Sequence, residues 1–172
     1  AFAGCIRLTS LTIPEKVATI GAGAFWGCTG LTYLNIPEHI KSIEASTFTG
    51  CLNLSTLKIP ESVTTIGENA FSGCSGLTSL TLPEKITSIE DDLFSGCTGL
   101  SKMTIPEGIT SIGNNAFYNC SGITSLVLPE SLQSIGQKAF SNCSGLISVT
   151  LPDSVTFVYF FRTGSIEILT RT

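Results

Sequence analysis

Cysteine is the most reactive side chain here, and all seven copies obey one spacing: Cys5, Cys28, Cys51, Cys74, Cys97, Cys120 and Cys143 stand 23 residues apart. Thiols can ligate metals, pair as disulfides or attack electrophiles. Zinc-type ligation needs CxxC pairs or histidine partners, and the only histidine is His39. Seven thiols cannot all pair. Residues at one position of a regular repeat also point the same way, whereas a disulfide needs a particular dihedral. The expectation is a row of reduced, buried thiols acting as small apolar side chains, with about seven titratable after unfolding.

The acids form a second row. Glu15, Glu38, Glu61, Glu84, Glu107, Glu130 and Asp153 each follow a proline and make up seven of the 13 carboxylates. Neighbouring charges about 5 Å apart repel by somewhat under ~1 kcal/mol in a water-like dielectric. Calcium wants six or more converging oxygens, and a straight row brings few to any one ion. The row reads as a solvated edge along a convex side, eased by Lys16 and Lys85; the competing reading is a strip for a cation or a basic partner. No spacing sets a nucleophile beside a base, so no enzyme, catalytic residue, cofactor or metal is expected.

The elements that carry these rows keep the same period. Proline recurs from Pro14 to Pro152 and phenylalanine from Phe2 to Phe140, both every 23 residues. A fixed period of this size means stacked supersecondary units. In residues 54–76, Leu57 and Ile59 alternate as in a half-buried strand, and Pro60 ends it. A second short strand is expected at Val63 to Ile66, then a turn at Gly67. Ala70 and Phe71 predict a short turn of helix or 3-10, with Cys74 packed inward. Roughly eight of 23 positions face inward, too few to bury alone, so the rungs must stack. The expected fold is a right-handed solenoid of about seven 23-residue rungs, with short parallel strands on two faces and short helical or 3-10 turns. Rungs should lie ~4.8 Å apart where strands pair.

Six full repeats run 8–30, 31–53, 54–76, 77–99, 100–122 and 123–145. Residues 1–7 match the end of a repeat, so the chain is expected to be a fragment whose preceding repeat is truncated. Residues 146–172 form an atypical seventh repeat. Thr163 stands where the core phenylalanine belongs and Ile166 where the cysteine belongs, and 153–172 is expected to cap the open end. Phe157, Tyr159, Phe160 and Phe161 either cover the last rung or meet another chain.

Composition excludes some partners. The 172 residues carry nine Lys plus Arg against 13 acids, net -4, so no basic stripe exists for nucleic acid. No apolar run reaches membrane-spanning length, and no secretory leader opens the chain, so direct membrane insertion is not expected.

The unit LTxLxIPExVTxIGxxAFxGCxG resembles the treponemal-type leucine-rich repeat of BspA-like surface proteins, over residues 1–152. The position that holds asparagine in ordinary leucine-rich repeats carries Lys16, His39, Ser62, Lys85, Gly108 and Ser131 instead. The resemblance implies a leucine-rich repeat solenoid that is secreted or on the cell surface, in bacteria and some parasitic protists. It implies adhesion to host matrix or plasma proteins such as fibronectin and fibrinogen, or contact between bacteria. It carries over no catalytic residue and no fixed ligand site.

Function then rests on residues that break the repeat. The outward positions of the first strand are mostly Ser and Thr; Tyr33, Asn35, Lys58 and Lys102 stand out as candidate protein-binding residues. Trp26 and Tyr118 follow the core phenylalanine and are further candidate anchors. A protein-binding surface module, an adhesin, is the leading expectation. A structural spacer, or a binder of carbohydrate or cations on the Ser/Thr and acidic faces, is the alternative. Solenoid ends can also self-associate. Asn53, Asn119 and Asn142 open Asn-x-Ser sequences, which matter only in a glycosylating host.

Overall fold

Proline makes the first corner of every rung. Three residues later an amide closes a turn on the proline carbonyl: Val17 to Pro14 at 2.9 Å, Ile40 to Pro37 at 3.1 Å, Val63 to Pro60 at 3.0 Å. The turn swings the chain from a first strand line to a second. In the computed structural model, which describes residues 1–158 and the strand 167–170, these lines make two walls of a parallel β-solenoid of about six turns.

The first wall holds β1 (Ser10–Thr12), β2 (Tyr33–Asn35), β5 (Ser79–Thr81), β7 (Lys102–Thr104), β10 (Ser148–Leu151) and β12 (Glu167–Thr170). The second holds β3 (Ser42–Ile43), β4 (Thr65–Ile66), β6 (Ser88–Ile89), β8 (Ser111–Ile112), β9 (Ser134–Ile135) and β11 (Phe157–Val158). All pairings are parallel, and within residues 1–158 each joins residues 23 apart, such as Ser10 with Tyr33. The walls are interrupted. In the first, β1 pairs β2 and β5 pairs β7, but residues 56–58 join no strand, touching β5 through a single Thr56–Ser79 bridge.

The third wall corrects an expectation. No helix, α or 3-10, forms among the described residues, although short helical turns were predicted. Many amides here reach across to the following rung: Phe48 to the Ala70 carbonyl at 2.8 Å, Gly50 to Ser72 at 2.7 Å. Two residues per repeat also adopt the left-handed conformation, which interrupts any helical run. One position is Gly23, Ser46, Asn69, Asp92, Asn115 and Lys138, with φ of 52° to 61°. The other runs from Gly4 to Gly96 and continues as Asn119 and Asn142. The solenoid has about six turns, slightly fewer than the seven rungs expected. β12 pairs with β10 as Ser148 to Glu167, only 19 residues on. Thr163 and Ile166 lie outside the described residues. Tyr159, Phe160 and Phe161 lie outside the described residues; Phe157 is half exposed.

The inward positions are as read. Leu54, Leu57, Ile59, Val63, Ile66, Ala70, Phe71 and Cys74 are all buried. Seven phenylalanines, Phe2 to Phe140, stack in one column with centroids 5.3 to 5.7 Å apart. Six cysteines are buried and reduced, whereas Cys5 is exposed. The buried thiols do more than fill space. Each Sγ donates to the phenylalanine carbonyl of the rung before: Cys51 to Phe25 at 3.2 Å, Cys74 to Phe48 at 3.1 Å, Cys97 to Phe71 at 3.1 Å. Burial pushes the thiols up from 9.0, Cys51 and Cys120 to about 12 and Cys143 to about 11.

Candidate protein-interaction face

The interruption of the first wall has a local cause. In most repeats the corner before the first strand is glycine: Gly30, Gly76, Gly99, Gly122 and Gly145. The rungs there are so close that a Cβ on Gly76 would lie 2.4 Å from the Leu52 carbonyl oxygen, and one on Gly30 2.4 Å from that of Ile6. The second repeat ends in Asn53 at this corner. Its Cβ has no room at that spacing, so the rung must stand off from the one before. The amide bonds along the first wall are also interrupted at this step. The Thr32 amide reaches Thr9 at 2.8 Å and the Thr78 amide reaches Ser55 at 3.3 Å, yet no such bond joins Ser55 to Thr32. The hydroxyl bonds repeat the pattern, with Thr32 on Thr9 at 2.9 Å and Thr78 on Ser55 at 3.4 Å. A second interruption, at residues 125–127, has no comparable residue out of place.

Over the first gap lies a groove of about 540 Å³. It brings together three of the expected site residues, Tyr33, Asn35 and Lys58, alongside Thr56 and Ser79. Tyr33 is 54% exposed. The Asn35 side-chain oxygen accepts the Ile13 amide at 2.9 Å, so Asn35 bolts two rungs together and keeps its amide nitrogen and one oxygen lone pair for a ligand. Lys58 is paired with Glu38, which holds the ammonium above the usual lysine range.

The acids were expected on a convex edge away from any pocket. All seven are solvent-exposed, and Glu15, Glu38 and Glu61 also line this groove, because the proline turn carries its glutamate to the margin of the first wall. His39 is structural: its Nε2 lies 2.9 Å from the Val17 carbonyl, where Ser62 makes the same rung-to-rung contact with Ile40. Its Nδ1 lies 3.7 Å from Glu15.

The other expected residues lie elsewhere. Lys102 is on the first wall, in β7, but outside the groove. Trp26 and Tyr118 are exposed on the turn wall, four rungs apart, and do not meet. The Tyr118 hydroxyl accepts the Asn142 side-chain amide at 3.1 Å. Among the described residues no cluster of His, Cys, Asp and Glu is arranged to hold a metal. No helix is long and apolar enough to cross a membrane among those residues.

A stacked parallel solenoid with this repeat defines a class, and comparison gives the family. The model of the BspA type leucine rich repeat region matches six copies over residues 1–124 and 74–170, so the chain belongs to the BspA-type leucine-rich repeat family. Among solved structures, a leucine-rich repeat protein of T. pallidum superposes with a TM-score of 0.81 at 26% identity, covering 87% of this chain and 72% of its own. A leucine rich cell surface protein of Faecalibacterium prausnitzii gives 0.75 at 34% identity, over 86% of this chain and 41% of its own. A leucine-rich repeat protein of Bacteroides ovatus gives 0.74 at 29% identity, over 99% of this chain, which spans 53% of that protein. No protein of curated function matches by sequence.

Proposed function

We propose that this chain is a non-catalytic protein-binding module of a surface-located or secreted protein, and that it acts in adhesion. One observation carries the reading: the standoff at Asn53 gathers an exposed tyrosine and a charged rim into one groove on an otherwise plain Ser/Thr wall. Tyrosine offers a large contact area with few rotors to freeze, as interface anchors do. The surface location is supported by family membership and by the F. prausnitzii relative, a leucine rich cell surface protein.

The test is binding of this chain to immobilised matrix and plasma proteins by surface plasmon resonance. Binding that Tyr33→Ala weakens at least fivefold, equivalent to about 1 kcal/mol, supports the reading. Binding untouched by Tyr33→Ala moves the site off this wall. Silence from this chain, with binding by a longer protein that contains it, favours a structural spacer.

A further inference from the structure

The charges on the groove have one sign in excess. Glu15, Glu38 and Glu61 line it against the single cation Lys58. Lys58 is held by Glu38 at the rim, with both side chains well exposed, 80% and 64%. Glu61 makes no hydrogen bond or ion pair among the described residues. The carboxylates arrive one per rung, so they are spaced along the solenoid axis and not around a point. That spacing suits cations carried along an extended chain. It does not suit one metal ion. Tyr33 gives that chain a flat aromatic surface for the stem and head of an arginine.

We infer that the Asn53 groove is a docking site for an extended, arginine- or lysine-bearing segment of a partner protein, with Glu38 and Glu61 pairing its cations and Tyr33 packing on a side-chain stem. This rests on the protein-binding reading above and adds the partner's chemistry. Lys58 acts as a built-in competitor. A guanidinium entering the groove displaces its ammonium from Glu38, and two parallel N–H bonds to a carboxylate outmatch one. Asn53 is the positioning residue, since its Cβ holds the gap open.

The experiment measures fluorescence anisotropy of three labelled peptides of equal length, alternating serine with arginine, glutamine or glutamate, on the full chain at low and physiological salt. The arginine peptide should bind at least tenfold tighter than the other two. Glu61→Gln and Tyr33→Ala should each weaken it at least fivefold, while Glu107→Gln, in the same acidic row but off the groove, should change it less than twofold. Lys58→Ala should tighten it. Asn53→Gly should restore rung pairing, seen as slowed amide exchange at residues 55–58, and weaken binding at least fivefold. Equal binding of all three peptides overturns the inference, as does an equal loss in Glu61→Gln and Glu107→Gln, which would make the row a diffuse strip. If Tyr33→Ala abolishes capture of a matrix protein while the arginine peptide fails to bind, the binding function stands and the basic partner falls. Neutral oligosaccharides serve as a further arm; their binding at Tyr33 without any peptide binding would also overturn it.

Discussion

Each buried cysteine carries two duties, and a small apolar residue meets only one of them. The carbonyl of Phe48 accepts the Cys51 amide from its own rung and the Cys74 thiol from the next. Cys74→Ala removes a sulfur from a fully buried site and leaves that carbonyl one donor short. The expected cost is roughly 1–3 kcal/mol in urea unfolding. Cys5→Ala, at an exposed site, should stay within about 0.5 kcal/mol; equal costs would mean that the thiol donor is irrelevant. Lys138 is the out-of-place residue of the left-handed row, where Asn69 and Asn115 sit at the same position. Lys138→Asn should add about 0.5–1 kcal/mol, read as a raised melting temperature. The thiol row was legible as buried and reduced because spacing alone sets direction. The hydrogen bond was not, since which carbonyl a thiol meets depends on how far one rung slides past the next.

At the scale of the element, the strands were readable and their pairing was not. Alternation at Leu57 and Ile59 correctly buries both, yet residues 56–58 join no sheet. At the first interruption the residue out of place is Asn53, five positions from Lys58, one asparagine in a column of glycines; the interruption at 125–127 has no such signal. Reading Asn53 required the inter-rung distance. The missed helix has a similar origin, because Ala-Phe runs favour a helical turn until left-handed neighbours and bonds to the next rung override them. Glycine at the corner should therefore matter far more than glycine in the open. Gly99→Ala would put its Cβ 2.4 Å from the Ser75 carbonyl oxygen, at an expected cost of about 1–3 kcal/mol. Gly21→Ala meets nothing within 4 Å and should be neutral within about 0.5 kcal/mol. A matched pair of urea midpoints decides it: similar losses in both would sink the close-approach account.

For the whole molecule, stability should follow alkaline pH. The unfolded thiols ionise from about 9.0, whereas in the folded chain Cys143 holds its proton to about 11 and Cys51 and Cys120 to about 12. Between those values the folded state binds more protons, so stability is full below pH 9 and is lost as pH rises through 11 to 12. The urea midpoint should hold between pH 7 and 9 and fall beyond it; a midpoint at pH 11 equal to that at pH 7 would contradict the burial account. The Asn53 groove, in turn, was only half visible beforehand. Tyr33, Asn35 and Lys58 stood out by type; the glutamates read rightly as solvent-exposed, but that three of them share a groove with Tyr33 depended on where the proline turns placed them.

The column of thiols also ties folding to a race. Seven thiols stay unprotected for as long as the chain is unfolded, and once the rungs close Cys28, Cys51, Cys74, Cys97, Cys120 and Cys143 are buried. Any oxidant or alkylating agent met before closure acts on side chains that the finished fold needs as hydrogen-bond donors. Native yield in an oxidising medium should therefore be set by how quickly the rungs zip together, and each added repeat lengthens the column that has to win.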